Sequence, residues 1–297
     1  MKPFAIAKTL LMMSLSVLFT IPAQARDVRF DDIDDDENQS VDTDYSMSAN
    51  QPIPAGQSIR VNLASQELRT YEDGRLVKTY KVAVGAPDFK SPQGERAITK
   101  VVWNPWWNPP KHSAWAQDYQ STPPGAENPM GPVKMDIGSL YFIHGNNDPI
   151  SIGHAVTHGC IRLLDEDAEE VARRIQHGAA MGLNWSGFEG ALARGAENYQ
   201  VNLSHPVPVL IYDDLVELKD GKLYVYKDVY ERYSGHDRLK LVQDELASMG
   251  ISPKNIRGKM LARDVKSMEK FKWFALTFSK YVKGGVSSDH RVAYVSE

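Results

Sequence analysis

The sequence predicts a mostly β domain with helical insertions and a small α-helical extension at its C-terminal end. Between residues 58 and 84, apolar residues alternate with polar ones around a Glu-Asp-Gly-Arg turn, which is typical of paired strands. Apolar residues at helical spacing appear after residue 165. Between these two patterns lies a stretch that contains three of the eight histidines and the only cysteine.

Composition limits the classes of function. The chain has 297 residues, of which 42% are hydrophobic, so it can form one large domain or two smaller ones. The net charge is −4, from 34 basic and 38 acidic residues. Because no basic excess is present, we expect no binding to nucleic acid.

The N-terminal segments predict export. Residues 1–25 combine two early lysines, an apolar run at residues 10–21 and Ala-Gln-Ala at residues 23–25, as in a cleavable signal peptide. The run is too short to span a membrane, and we expect no transmembrane segment elsewhere. Residues 26–57 are acidic and poor in apolar side chains, which predicts a flexible leader. The expected location is the periplasm or cell envelope.

The elements after the leader can be taken in order. Strands are predicted at residues 59–63, 68–71 and 77–84, followed by a Ser-Pro-Gln-Gly turn at residues 91–94. Residues 103–110 are rich in proline and tryptophan, so they are predicted to form an irregular aromatic loop. Trp107 in this loop is predicted to line a substrate groove, with packing of the indoles on the sheet as the alternative.

Cys160 is the candidate nucleophile. Exported proteins use cysteines in disulfide pairs, so a lone one is a reactive thiol, an intermolecular disulfide partner or a buried structural thiol. A thiol needs a nearby base to become a thiolate at neutral pH, and a histidine is the usual base. Gly159 leaves room for a substrate carbonyl and for backbone N–H groups directed at a developing oxyanion. The stretch therefore predicts a Cys–His acyl-transfer site.

The motifs resemble those of the L,D-transpeptidase (YkuD-type) family. They are T-H-G-C-I-R at residues 157–162, I-H-G at residues 143–145 and N-P-M-G-P at residues 128–132. The resemblance covers residues 58–232 and implies the β-sandwich-like YkuD catalytic fold, with residues 233–297 as the helical extension. Ser91 stands where the family has threonine.

The resemblance also implies roles for individual residues. Cys160 would be the nucleophile, His144 the proton donor and acceptor, and the backbone carbonyl of Gly145 would orient His144. Backbone N–H groups of His158, Gly159 and Cys160 are predicted to hold the oxyanion. If residues 157–161 form a strand, His158 shares a face with Cys160.

Three further residues are candidate substrate contacts, namely Arg162, Thr157 and Trp107. A guanidinium two residues beyond the nucleophile can hold a substrate carboxylate in a bidentate pair. The alternative for Arg162 is a structural ion pair with Asp165 or Asp167. The histidine spacings match no zinc site, and the expected chemistry needs no metal or cofactor.

By resemblance, the expected reaction starts from a peptidoglycan tetrapeptide stem. Cys160 would form an acyl-enzyme with the third stem residue, D-alanine would leave, and an amine would accept the acyl group. The acceptor is either a second stem, which gives a cross-link, or a lysine of an envelope protein. The alternatives are hydrolysis, as in an L,D-carboxypeptidase or cross-link hydrolase, and a non-catalytic cell-wall-binding module.

The second half of the chain is predicted to contain both element types. Helices are expected at residues 165–176 and 182–199, a strand at residues 201–212 and a hairpin at residues 218–226. Three helices are predicted in the extension, near residues 239–249, 255–267 and 268–281.

Overall fold

The computed structural model describes residues 51–283, apart from residues 112, 220, 233–236, 249, 269 and 272. The described residues all belong to one compact unit. The predicted signal peptide and residues 26–50 of the predicted leader lie outside the described residues. Among the helices that the structure describes, none is both long and apolar enough to cross a membrane.

The first ten strands are β1 Gln57–Asn62, β2 Glu67–Glu72, β3 Arg75–Lys81, β4 Val84–Gly85, β5 Gly94–Trp103, β6 Val133–Asp136, β7 Phe142–His144, β8 Ala155–Thr157, β9 Ile161–Arg162 and β10 Tyr199–Tyr212. Eight of them form one curled sheet that dominates the fold, in the order β3-β2-β1-β10-β5-β6-β7-β9. Only β1–β10 and β7–β9 pair in parallel within it, and β4 and β8 form a separate parallel pair. The mostly β fold class predicted from the sequence is confirmed.

The predicted first hairpin is present. Strands β2 and β3 pair around Asp73 and Gly74, which have φ values of 48° and 80°. Glycine adopts this left-handed conformation without steric cost, and aspartate tolerates it better than most residues do. The turn therefore fixes the register of the hairpin.

Two helices cover the core of the large sheet. They are α1 Asp165–Ala179 and α2 Trp185–Ala193, both near their predicted positions. On α1 the helical spacing brings Ala168, Val171, Ala172 and Ile175 onto one buried face. The ring of Phe188 on α2 is fully buried and lies edge-on to the indole of Trp103. This packing anchors the strand ends that carry the candidate site.

The C-terminal part forms a second core. A three-stranded antiparallel sheet of β11 Val216–Lys219, β12 Lys222–Tyr226 and β13 Trp273–Thr277 packs with helices α3 Arg238–Ser248 and α4 Gly258–Met268. The hairpin and two of the three predicted helices are confirmed. This core includes residues from β11 and β12, so the predicted extension shares its core with residues that the sequence placed in the catalytic domain.

The helix predicted at residues 268–281 is wrong, because most of this segment is strand β13 and a short 3₁₀ turn at Phe278–Lys280. Phe274 and Leu276 are buried, whereas Trp273 and Thr277 are exposed. This period of two matches a strand. Strand β12 offers an open edge, and pairing with it overrides the local helical pattern.

Candidate functional site

Strands β7 and β9 bring the two main candidate residues to the same part of the sheet. His144 is the last residue of β7, and Cys160 immediately precedes β9. The parallel register aligns Ile143 with Ile161 and His144 with Arg162. Both isoleucines are fully buried in the core. Because side chains alternate between the faces of a sheet, His144, Arg162 and Cys160 share the opposite face.

Strand β6 adds a third member to this arrangement. It pairs antiparallel with β7, so that Lys134 lies opposite His144 and Asp136 lies opposite Phe142. The core-facing residues of β6 are Val133 and Met135. The other face of the sheet therefore carries two neighbouring rows. We call them the histidine row (Lys134, His144 and Arg162) and the cysteine row (Asp136, Phe142 and Cys160).

His144 is fixed by its own backbone neighbour. The residue is 3% exposed, and its Nδ1 lies 2.5 Å from the carbonyl oxygen of Gly145. This contact suits the tautomer in which Nδ1–H donates and Nε2 keeps its lone pair. Burial and the positive charges of Arg162 and Lys134 lower the pKa of His144 to about 3, against the partly compensating hydrogen bond to Gly145. The ring is therefore neutral at pH 7.

Asp165 holds the peptide group that fixes His144. The N–H of Asn146 donates to Asp165 Oδ1 at 2.7 Å, and this N–H belongs to the same peptide unit as the carbonyl of Gly145. Any Cβ on Gly145 would lie 2.5 Å from Asp165 Oδ1. Glycine therefore lets the carboxylate at the start of α1 approach the loop. Sequence reasoning missed this role, because it treated Asp165 only as a possible partner of Arg162.

A tight turn precedes the cysteine. Thr157 Oγ1 donates to the carbonyl of Cys160 at 2.7 Å and accepts the N–H of Gly159 at 3.0 Å. Gly159 has a φ of 103°, and a Cβ there would lie 2.5 Å from Cε1 of Tyr141. Thr157 is 1% exposed, so we assign it to shaping this turn instead of the substrate contact expected from the sequence.

The turn also changes the set of oxyanion donors. The N–H of Gly159 is occupied by Thr157, although the sequence predicted it as a donor. Within the described part of the chain, the N–H groups of His158 and Cys160 make no hydrogen bond. These two groups are the predicted donors that remain available to a substrate oxygen.

Cys160 is a free cysteine, and the residue as a whole is partly exposed. Burial raises the pKa of its Sγ above the ordinary value. A hydrogen bond from the backbone of Phe142 and the charges of Arg162 and Lys134 offset part of this increase. In the free protein, the thiol and the His144 imidazole are therefore both neutral at pH 7.

Arg162 does not make the structural ion pair that the sequence left open. Asp165 binds the Asn146 N–H, and Asp167 lies 3.6 Å from Lys78. Arg162 has no ion pair with any residue in the described ranges, and its Nε is buried without a hydrogen-bond partner there. A guanidinium that has no ion pair and a buried Nε without a hydrogen-bond partner is a favourable site for an anionic ligand.

Aromatic rings surround His158 at the edge of the site. The indole of Trp115 stacks on the imidazole of His158, with centroids 3.9 Å apart, and Phe89 contacts the same imidazole at 4.5 Å. Trp107, the predicted groove residue, contacts Tyr119, which in turn contacts Trp115. The indole that reaches the motif is therefore that of Trp115.

His158 itself lies outside regular strand structure. Residues 158 and 159 follow β8 as a bend, and Gly159 is left-handed. His158 as a whole is an exposed residue, although one face of its ring is stacked on Trp115. The strand geometry that would place His158 and Cys160 on one face is absent from this segment. Among the described residues, no group of three or more His, Cys, Asp or Glu side chains could hold a metal ion.

Comparison with known proteins identifies the family. The model of the YkuD L,D-transpeptidase catalytic domain matches residues 56–187. The chain is 34% identical over 126 residues to the putative L,D-transpeptidase YkuD of Bacillus licheniformis, which covers 42% of this chain and 64% of that protein. It is 30% identical over 127 residues to the putative L,D-transpeptidase YqjB of Bacillus subtilis, covering 43% of this chain and 70% of that protein.

A third relative is more similar over a smaller part of its own length. The probable L,D-transpeptidase YbiS of Escherichia coli is 45% identical over 135 residues, which are 43% of this chain and 44% of that protein. The chain spans 64% of the length of the Bacillus licheniformis relative. The matched segment contains both His144 and Cys160. The chain belongs to the YkuD family of L,D-transpeptidase catalytic domains.

Proposed function

We propose that this protein is an exported L,D-transpeptidase of the periplasm that uses Cys160 to form an acyl-enzyme with a peptidoglycan tetrapeptide stem. The main support is the shared sheet face of Cys160 and His144, with His144 fixed by the carbonyl of Gly145. We assign the reaction to residues 58–232 and treat residues 233–297 as an extension. Signal-peptide cleavage after residue 25 is part of the same proposal.

The first step transfers one proton and forms one bond. Nε2 of His144 takes the proton of the Cys160 thiol while Sγ attacks the carbonyl carbon of the third stem residue. The C–N bond to the terminal D-alanine then breaks, and the amine leaves with the proton from His144. The Cys160 thiol and the His144 imidazole are both neutral in the free protein. The proton transfer between them therefore takes place after the substrate has bound, together with the attack of Sγ.

The surrounding groups stabilise the charges that develop. The N–H groups of Cys160 and His158, which make no hydrogen bond within the described part of the chain, would donate to the oxyanion. Arg162 takes a carboxylate of the donor. In the second step an amine attacks the thioester, His144 accepts its proton, and the Cys160 thiol is restored. A second stem would give a cross-link, and a lysine of an envelope protein would give protein attachment.

The proposal is tested by incubating the purified chain with a disaccharide-tetrapeptide and following the products by mass spectrometry. We expect D-alanine release and a cross-linked dimer, and neither product from Cys160→Ala. Tripeptide with no dimer would instead establish the hydrolase alternative. If the folded wild-type protein forms no product and no adduct at Cys160 with this donor, the enzymatic proposal fails and the wall-binding alternative replaces it.

Asp165 gives a prediction about how His144 is positioned. We expect Asp165→Ala to lower kcat/KM for donor acylation on the order of tenfold, because the Gly145 carbonyl loses the anchor of its peptide unit. Asp165→Asn retains an oxygen acceptor and should recover most of the rate.

The matched control is Glu166→Gln, which removes an exposed charge from the same helix end and should leave the rate unchanged. Thermal unfolding of each variant separates a folding defect from mispositioning of His144. Equal rates for Asp165→Ala and Glu166→Gln would refute the anchoring role.

A further inference from the structure

Tyr230 is a buried residue whose hydroxyl reaches strand β4, close to the candidate nucleophile. It follows the C-terminal strand β12 along the chain, yet it packs in the core of the large sheet and is 4% exposed. Its hydroxyl donates to the carbonyl oxygen of Gly85, the last residue of β4, at 3.0 Å. Burial raises the pKa of this hydroxyl, so it keeps its proton and remains a donor at neutral pH.

Tyr230 joins the two ends of the loop at residues 86–91, which follows β4. A Cβ on Gly85 would lie 2.5 Å from the backbone nitrogen of Ser91, so glycine lets the loop close on the strand. Ser91 Oγ accepts the N–H of Gly85 at 2.8 Å, and the N–H of Ser91 lies 3.5 Å from the Tyr230 hydroxyl. Both peptide groups of Gly85 are therefore held, one by Ser91 and one by Tyr230.

A single peptide unit connects this contact to the turn before the nucleophile. The carbonyl of Gly85 and the N–H of Ala86 belong to the same peptide unit, and this N–H donates to the carbonyl of Thr157 at 2.8 Å. The side chain of Thr157 in turn donates to the carbonyl of Cys160. Buried hydrogen bonds in series polarise one another and restrict the geometry of the groups that they join. A continuous path of hydrogen bonds thus runs from the Tyr230 hydroxyl to the backbone of Cys160.

The loop also borders the turn at two further points. The ring of Phe89 contacts the imidazole of His158, with centroids 4.5 Å apart. The carbonyl oxygen of Lys90 lies 3.4 Å from the position that a Cβ on Gly159 would take. The N–H groups of His158 and Cys160, the proposed oxyanion donors, therefore lie in a turn that this loop borders. A displacement of the loop would shift both donors and the thiol together.

We propose that Tyr230 is a positioning residue for acylation. Its hydroxyl, acting through the peptide unit between Gly85 and Ala86, fixes the turn at residues 157–160 so that the thiol of Cys160 and the oxyanion donors meet the substrate carbonyl together. This inference rests on the proposed function and adds to it a residue that lies beyond the matched segment at residues 56–187. It gives the part of the chain after β12 a role in the reaction.

The first test is single-turnover acylation of Cys160 by the tetrapeptide donor, with Tyr230→Phe in the full chain. We expect the rate constant at saturating donor to fall on the order of tenfold, because small displacements of a nucleophile are costly. The amount of acyl-enzyme formed should not change, since the protein stays folded. A loss of amplitude with an unchanged rate constant would indicate a folding defect only and would overturn the inference.

The matched control is Tyr226→Phe, which also removes a buried tyrosine hydroxyl. That hydroxyl donates to Glu217 at 3.1 Å, on the C-terminal sheet. We expect Tyr226→Phe to keep the wild-type rate constant. An equal decrease in both variants would show a general effect of losing a buried hydrogen bond, which would refute the role of Tyr230.

A double variant tests whether Tyr230 acts through Thr157. Thr157→Val removes the hydroxyl that holds the turn but keeps a branched side chain of similar shape. Because the two residues lie on one path, Tyr230→Phe/Thr157→Val should be little slower than Thr157→Val alone. Losses that multiply in the double variant would contradict this path.

Hydrogen exchange tests the hold on the turn without any turnover. In Tyr230→Phe, the N–H groups of Ala86 and Gly159, followed by NMR, should exchange roughly fivefold faster than in the wild type, and in Tyr226→Phe they should not. Faster exchange supports the inference even if the wild-type chain releases no D-alanine, in which case only the proposed function fails. Unchanged exchange at both groups overturns the inference.

Discussion

Replacement of His144 by Gln is expected to slow acylation of Cys160 by about 10³-fold, within the usual range for a lost general base. Glutamine fills part of the same space, but its amide cannot accept the thiol proton. The rate is measured as single-turnover formation of the acyl-enzyme with the tetrapeptide donor. We expect the unfolding midpoint to change little, because the neutral ring contributes no ion pair to the buried site.

The pH dependence of acylation by the wild-type protein follows from the shifted pKa values of His144 and Cys160. Burial lowers the pKa of His144 to about 3 and raises that of Cys160 above its ordinary value. Both groups therefore keep their reactive neutral forms between pH 5 and pH 8. We expect kcat/KM for acylation to be flat across this range. Alkylation by iodoacetamide needs the thiolate, so its rate should instead rise about tenfold per pH unit.

The same reagent provides the control for His144→Gln. Since His144 is not expected to form an ion pair with the thiolate in the free protein, alkylation should be similar in the wild type and the variant. A bell-shaped acylation profile centred near pH 6, together with fast alkylation at that pH, would contradict the neutral pair. It would indicate a preformed thiolate and imidazolium.

The sequence allowed the prediction of elements whose signal is local. The hairpin around Asp73 and Gly74 depends on turn residues, and α1 depends on apolar residues at helical spacing, so both could be read from short windows. Cys160 is predicted as the nucleophile because it is a lone cysteine close to histidines and a glycine, and the role of His144 follows from the resemblance of the motifs to those of the L,D-transpeptidase family. Their placement on neighbouring strands is a finding of the structure.

The features that were missed depend on contacts between distant residues. Lys134 joins the histidine row only through the register of β6 on β7, which no short window specifies. Asp165 reaches the Asn146 N–H because Gly145 has no Cβ that would block its carboxylate. A close contact of this kind between distant residues is not specified by any short window of sequence. Strand β13 was misread because its partner edge, β12, lies about fifty residues earlier.

Arg69→Met is expected to destabilise the protein by about 3–5 kcal/mol, because it leaves the buried carboxylate of Glu217 without its hydrogen-bonded counter-charge. Arg69 on β2 donates to both oxygens of Glu217 on β11 at 2.8 Å, and to Glu67 at 2.7 Å. Glu217 is 5% exposed and also accepts from the Tyr226 hydroxyl at 3.1 Å. This network joins the large sheet to the C-terminal sheet. Urea unfolding at pH 7 measures the loss.

The pH dependence of the free energy of unfolding provides a second test. Burial alone would raise the pKa of Glu67, but the hydrogen bond and charge of Arg69, with smaller contributions from Lys219 and Lys81, outweigh burial and bring it to about 2. Arg69 also lowers the pKa of Glu217 against the effect of burial. This stabilisation is present above the ordinary glutamate pKa of 4.5 and is lost as the pH falls toward 2. The difference between wild type and Arg69→Met should therefore be largest at pH 7 and smaller at pH 3.

Lys81→Met is the matched control for the loss of one cation beside Glu67. The Lys81 side chain is 60% exposed and lies 2.9 Å from Glu67, so its removal should cost less than about 1 kcal/mol. The double variant Arg69→Met/Glu217→Met replaces the buried pair by apolar groups and should recover part of the loss. Equal destabilisation by Arg69→Met and Lys81→Met would mean that the buried network does not hold the two sheets together.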